Sequence, residues 1–252
     1  MKHLFWSWRV VMKSLCFLVF GVGSLVLGVF VFPAILILGR SDEKKDKMMR
    51  HLIHISSAAF VLLMRSLGLI NVDWSGDVEK IQDGTGKLLI ANHPSLIDIV
   101  ILMARIRNAD CIIKSSLFRF PFVRHVVRKL YISNELTDIE LVDAGVRSIN
   151  SGKTLVIFPE GTRSGKEGMK PVKRGAARIA LKGGFETLPV RIESQDVTGL
   201  RKNDGMLTYR KDGAIDFHMR IIPPIQSRDF DGLTPGIAAR RLTGRYLGKI
   251  LG

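Results

Sequence analysis

Asn92-His93-Pro94-Ser95-Leu96-Ile97-Asp98 lies between two apolar runs, Leu88 to Ala91 before it and Ile99 to Met103 after it. Leu88, Leu89 and Ile90 follow the turn-forming Asp83-Gly84-Thr85-Gly86 and read as a short buried strand. Pro94 suits the first position of a helix, where a missing N–H has no intrahelical partner to lose. The stretch is therefore expected to be a strand-to-helix junction with His93 at the cap. Asp98 lies five residues on, which on a continuous helix would point it away from His93, but a cap residue can lean back over the first turn, so the spacing permits the contact without demanding it.

An imidazole beside a carboxylate suits removal of a proton from a hydroxyl. The ring titrates near neutral pH, and the carboxylate orients it and stabilises the imidazolium that forms. The competing reading is a capping His with a solvated first-turn acid favourable to the helix dipole. A second segment favours chemistry. Phe158-Pro159-Glu160-Gly161-Thr162-Arg163-Ser164 follows Thr154 to Phe158, another strand by its Val156 and Ile157. Arg163 offers a planar fork suited to phosphate, Gly161 lets a ligand approach the backbone, and Pro159 with Gly161 marks a turn.

Taken together, the two segments resemble the glycerolipid acyltransferases typified by 1-acyl-glycerol-3-phosphate (lysophosphatidate) acyltransferase. The His-x4-Asp block of that family is matched by His93 through Asp98 with Asn92 in front, and its Phe-Pro-Glu-Gly-Thr-Arg-Ser block by Phe158 to Ser164. Thr187-Leu188-Pro189-Val190 is similar to a later hydrophobic-Pro-Val block, so the resemblance covers roughly residues 70 to 225. It implies acyl transfer from acyl-CoA or acyl carrier protein to a lyso-lipid hydroxyl. His93 would be the base oriented by Asp98, with Asn92, Glu160, Gly161, Thr162 and Arg163 binding substrate and Arg163 on the acceptor phosphate. It implies no cofactor and no metal. Tyr131-Ile132-Ser133-Asn134 departs from the family, which usually has Arg where Asn134 stands, and so questions the acceptor rather than the reaction. Lys114 and Lys173 are further candidate anion contacts, with a solvated surface as the competing reading. There is no Gly-x-Ser-x-Gly elbow, and Ser95 is the sole hydroxyl near His93 in sequence, so a covalent serine route is the lesser expectation.

The chain has 38 Lys and Arg against 23 Asp and Glu, a net charge of +15. It should favour acidic lipid, phosphorylated substrate or an acidic carrier protein. Nucleic acid is not expected as a partner, because no aromatic and basic platform is interleaved along the chain. A non-catalytic, membrane-tethered binding module would explain the charge but leave both motifs as accidents. Cys16 and Cys111 have no neighbour at metal-ligand spacing and read as small core residues of a reducing compartment.

Ser14 to Leu38 carries no charged side chain, a run longer than the roughly 20 residues a bilayer-spanning helix needs. Pro33 is expected to kink it. His51 to Met64, flanked by Arg50 and Arg65, is shorter than a span. Two readings compete, a two-span hairpin or a pair of helices sunk into one leaflet; Lys2, Arg9 and Lys13 precede the first run and Arg40, Lys44, Lys45, Lys47 and Arg50 follow it, and positive charge at both ends fits a monotopic hairpin. Trp6 and Trp8 would be interface anchors. Residues 1–70 are thus expected to anchor an acyltransferase domain of residues 71–252 to the cell inner membrane, catalytic domain on the cytoplasmic side.

From Asp73 onward, alternating strands and helices predict an α/β fold, a mostly parallel sheet flanked by helices, preceded by the hydrophobic two-helix membrane anchor. Ligands should collect at the carboxyl ends of the strands. Ile139, Val142, Val146 and Ile149 mark an amphipathic helix over Asp138 to Asn150. The tail after Pro235 reads as a basic amphipathic helix, for the protein surface or for membrane contact.

Overall fold

The computed structural model describes residues 2–82, 86–114, 124–161 and 172–251. Among these, seven strands form one sheet: β1 (Ile70–Ser75), β2 (Leu88–Ala91), β3 (Ala109–Ile113), β4 (Ile132–Ser133), β5 (Thr154–Ile157), β6 (Thr187–Glu193) and β7 (Ile215–Ile221). Their order is β1-β7-β6-β2-β5-β3-β4. Every neighbouring pair is parallel except β6 with β7, so β2 to β6 share one direction while β1 and β7 run the other way. The α/β expectation with a mostly parallel sheet is met.

Both faces of the central strands are buried, which is why they read as unbroken apolar runs rather than as alternation. Leu88 and Ile90 of β2, with Leu155 and Ile157 of β5, pack against α7 (Asp138–Asn150), α8 (Gly175–Gly183) and α9 (Pro235–Leu251). Leu89, Ala91 and Val156 face the opposite layer, built from α1 (Lys2–Val26), α3 (Asp42–Ser66) and α5 (Asp98–Met103). β2 leads to β3 on one side and β5 leads back to β6 on the other. The carboxyl ends of β2 and β5 therefore border the point where strand order reverses, the usual crevice of an open α/β sheet.

Helix α7 spans the expected residues and is closed by a capping box between Thr137 and Glu140. Val142 and Ile149 are buried, but Ile139 is 73% exposed, because only the second half of the apolar stripe lies over the sheet. In α9, Ala238, Ala239, Leu242, Tyr246 and Ile250 are buried in the core layer. Membrane contact through that face is thus corrected: it is occupied by the protein itself.

At the N-terminus, α1 runs through a π-helical segment (Leu27–Val31) into α2 (Phe32–Leu38). Phe32 N–H bonds the Leu27 carbonyl one residue further back than in an α-helix. Pro33 has no N–H to donate, and the wide turn just before it absorbs the mismatch where a kink was expected. Among the described residues one helix, Phe5–Leu38, is long and apolar enough to cross a membrane. The two-helix anchor is met only in part, since the second helix, α3, buries Met49, Ser57, Phe60 and Met64 and packs on α5 and β1.

Three N-terminal residues lie elsewhere than the charge and belt patterns suggested. The Arg50 side chain is 2% exposed beside Asp46 and Asp110, and its guanidinium donates to the Ala109 and Leu130 carbonyls. Lys13 is 1% exposed. Trp6 donates its indole N–H to the Tyr209 carbonyl at 3.0 Å and so is tied to the domain rather than to a lipid interface. Flanking cations that satisfy buried carbonyls carry no information about membrane sidedness.

Candidate active site

At the end of β2 the side chain of Asn92 continues the sheet in place of backbone. Its amide donates to the Ile192 carbonyl at 2.8 Å and accepts the Ile192 N–H at 2.7 Å. Both ends of the amide are thus engaged with β6, which fixes where the chain leaves the sheet. His93 comes next, and its backbone N–H donates to the Glu160 carboxylate at 3.1 Å. Glu160 is itself 5% exposed, so this bond ties the loop after β2 to the loop after β5 inside the protein.

The expected helix start at Pro94 is corrected. Helix α5 begins at Asp98, with Ile97 at its cap; residues 93–94 are irregular and the chain bends at 95–97. The reason is the Asp98 carboxylate, which accepts the Ser95 N–H at 2.7 Å and the Ser95 hydroxyl and folds the segment back over itself. The same Oδ2 meets His93 Nδ1 at 2.8 Å. Asp98 is fully buried and the His93 side chain 16% exposed, so the ring is the part of the pair that reaches the surface. A carboxylate accepts and does not donate, so Nδ1 carries the proton and Nε2 presents a lone pair.

Phe158 was not given a role from the sequence, and Ser95 was weighed only as a lesser nucleophile. The Phe158 ring stacks on the His93 imidazole, centroids 4.1 Å apart at 18°, and holds its plane. Ser95 is 0% exposed, with its hydroxyl directed at Asp98, so it positions the carboxylate and is not presented as a nucleophile. Both lie within the quoted segments, and only their orientation was hidden.

Of the other candidate residues, Gly161 sits at φ 65°, a conformation that favours glycine, and its N–H closes a turn on the Phe158 carbonyl at 3.0 Å. Lys173 is exposed, and its N–H bonds the Pro159 carbonyl at 3.0 Å, so the chain returns beside the second motif. Lys114 is exposed at the end of β3. Asn134, at the end of β4, lies next to it, since its N–H bonds the Ile113 carbonyl at 3.0 Å. Thr162 and Arg163 lie outside the described residues. Asn92, His93, Asp98, Glu160, Gly161 and Lys173 are thus brought together at one edge of the sheet, and on that edge Lys114 stands two strands from β2 and Asn134 three. Two cavities of about 510 and 710 Å³ occur elsewhere, and neither is lined by His93 or Asp98.

Residues 75–193 match the model of the Acyltransferase family. The chain's relatives include a 1-acyl-sn-glycerol-3-phosphate acyltransferase of Helicobacter pylori, 37% identical over 116 residues, covering 43% of this chain and 48% of that protein. The enzyme of the same name from Borreliella burgdorferi is 29% identical over 140 residues, covering 52% and 56%. The chloroplastic BAT2 of Brassica napus is 24% identical over 207 residues, covering 79% and 58%. The chain thus spans about half the length of the curated relatives it matches. The crystal structure of the 1-acyl-sn-glycerophosphate acyltransferase of Thermotoga maritima superposes with a TM-score of 0.72 at 22% identity, covering 99% of this chain and 95% of that one, and shares the fold.

Proposed function

We infer that the protein is a membrane-bound O-acyltransferase that moves an acyl chain from acyl-CoA or acyl carrier protein to the hydroxyl of a lysophospholipid, with 1-acyl-glycerol-3-phosphate as acceptor and phosphatidic acid as product. The observation that carries the reading is the 2.8 Å contact between His93 Nδ1 and the buried Asp98 carboxylate at the carboxyl end of β2. His93 Nε2 takes the acceptor's proton as its oxygen attacks the thioester carbonyl. The new C–O bond forms, the C–S bond breaks, and the proton passes from the imidazolium to the departing thiolate. Asp98 stabilises the imidazolium in between, and no acyl-enzyme or cofactor is needed. Arg163 and Thr162 hold the acceptor phosphate, Gly161 lets it approach the backbone, and Lys114 and Lys173 add anion contacts. Glu160 and Asn92 serve by fixing the loops.

Residues 1–70 anchor the catalytic domain of residues 71–252 on the cytoplasmic face of the cell inner membrane. The long helix is held against the protein at two places: Val10 and Cys16 join the sheet core, and Phe32 and Ile35 pack with Met49 and Leu130, while residues 21–26 between them are exposed. A helix so held lies along the domain, which favours seating in one leaflet over crossing.

The test is acyl transfer by the purified protein to lysophosphatidate from acyl-CoA and from acyl carrier protein. Activity that His93→Ala abolishes without loss of fold is the expected result. Full activity of His93→Ala would overturn the base assignment. Arg163→Ala should raise KM for lysophosphatidate more than KM for the thioester.

A further inference from the structure

Lys13 is a buried cation in helix α1, and such a charge is tolerated only when its donors are all used. Here they are: the ammonium donates to the carbonyls of Gly199, Gly205 and Thr208 at 3.3, 3.2 and 2.7 Å. Ser14 donates to the Met206 carbonyl at 3.2 Å and Trp6 to that of Tyr209 at 3.0 Å. The loop between β6 and β7 is thus wrapped on the side of α1. Asp204 stiffens it from within by accepting the N–H groups of Gly199 and Arg201 at 2.6 and 3.0 Å. Gly199, at φ 95°, has no room for a Cβ against the Thr208 backbone.

A loop held by so many bonds nevertheless points two large apolar side chains outward, Met206 at 57% and Leu207 at 74% exposed. They do not stand alone. Ser14, bonded to Met206, lies at helical spacing on the same face of α1 as the exposed Val11, Leu15 and Leu18, so the tip continues that stripe. Between Arg201 and Asp212 the loop carries Arg201, Lys202, Arg210 and Lys211 against Asp204 and Asp212, a basic setting for an apolar tip. Apolar side chains framed by cations are what an anionic lipid surface accepts.

We propose that the 199–210 loop is a second lipid-contacting element, which seats Met206 and Leu207 in an anionic bilayer surface beside α1. This rests on the membrane-anchor reading of α1 and extends it to the catalytic domain. The loop also reaches the site, because the Leu200 carbonyl accepts the N–H of Leu96 at 2.9 Å, within the turn that holds His93 and Asp98. Seating the loop therefore sets the height of the catalytic turn above the lipid that supplies the acceptor.

The experiment uses the full chain. Cys16 and Cys111 are buried, so a polarity-sensitive fluorophore can be attached to Leu207→Cys and, in a second protein, to Leu18→Cys on α1. With phosphatidylglycerol-containing vesicles, both probes should shift to the blue and be quenched by brominated lipid. A shift at position 18 but not at 207 overturns the loop proposal and leaves the anchor standing. A shift at neither overturns both. Met206→Asp combined with Leu207→Asp should weaken partition onto these vesicles by roughly tenfold. Turnover of a short-chain, water-soluble acceptor should stay at the wild-type rate. Undiminished partition by that variant would also overturn the proposal.

Discussion

Asp98→Asn tests the dyad at the point where the structure makes the sharpest statement. The carboxylate is fully buried and accepts from His93 Nδ1 and the Ser95 N–H through one oxygen and from the Ser95 hydroxyl through the other. In the variant the amide can turn two ways. The Ser95 N–H, at 2.7 Å from Oδ2, rejects an NH2 group there, so the amide oxygen must occupy that place and still accept from Nδ1. The tautomer of His93 is then preserved, and what is lost is the charge. Unit charges about 4 Å apart interact by about 4 kcal/mol at the effective dielectric of a protein site. With the proton half transferred, about 2 kcal/mol of that acts in the transition state, a fall of about 30-fold in kcat. Where the same substitution inverts the tautomer in hydrolase triads, the fall is about 10⁴-fold. The expected loss here is therefore about 30-fold, with stability within about 2 kcal/mol of wild type. Steady-state kinetics on vesicles with denaturant unfolding in parallel makes the measurement. A kcat within about threefold of wild type would refute the electrostatic role, and a loss near 10⁴-fold with the fold intact would refute the argument from Ser95.

Other outcomes follow from the buried polar groups. Ser95→Ala leaves one buried oxygen of Asp98 without its donor and should lower stability by about 1–3 kcal/mol, read by urea denaturation, with a smaller kcat loss than Asp98→Asn. Arg50→Met removes the cation between the carboxylates of Asp46 and Asp110 and the donor to two carbonyls, and should destabilise by about 3–5 kcal/mol in the same assay. Burial holds the Asp110 carboxyl above its ordinary range of 3.8, partly offset by Arg50 and Ser148. The folded state thus binds this proton more tightly than the unfolded state. Its contribution to stability is full below the ordinary value and is lost as pH rises through the raised one. Asp110→Asn removes that slope, so the melting temperature of the variant should gain on wild type as pH is raised from 3.8 through the window.

How far the sequence could be read depended on whether a residue's role was local. The strands β2 and β5, and the helices α7 and α9, were legible because a buried parallel strand and an amphipathic helix each impose a period on a few adjacent residues. The pairing of His93 with Asp98 was legible as a possibility, since five positions of separation permit it. The turn that realises it was not, because it depends on a side chain, Asp98, competing with the helical backbone for the N–H of Ser95. Contacts between distant segments were hidden altogether. Glu160 looked like a ligand for substrate but holds the His93 backbone across 67 positions, and Asn92 looks equally polar whether it faces a lipid or the Ile192 backbone.

The N-terminal cations show why composition misleads in one direction. Lys13 and Arg50 were counted as charges flanking membrane segments, a count that assumes every Lys and Arg is solvated. In the fold each is an interior fastener: Lys13 gathers three carbonyls of the loop after β6, and Arg50 joins the carbonyls of the first residue of β3 and the last residue of α6 (Arg124–Leu130). With those two removed from the tally, the apolar helix is no longer a free span marked at its ends but a beam riveted to the catalytic domain near residue 13. A beam fixed in that way cannot tilt through a bilayer without carrying the domain with it. For a helix seated in lipid as proposed, its depth and the height of His93 would be one variable, transmitted through Lys13, the 199–208 backbone and the Leu200–Leu96 hydrogen bond.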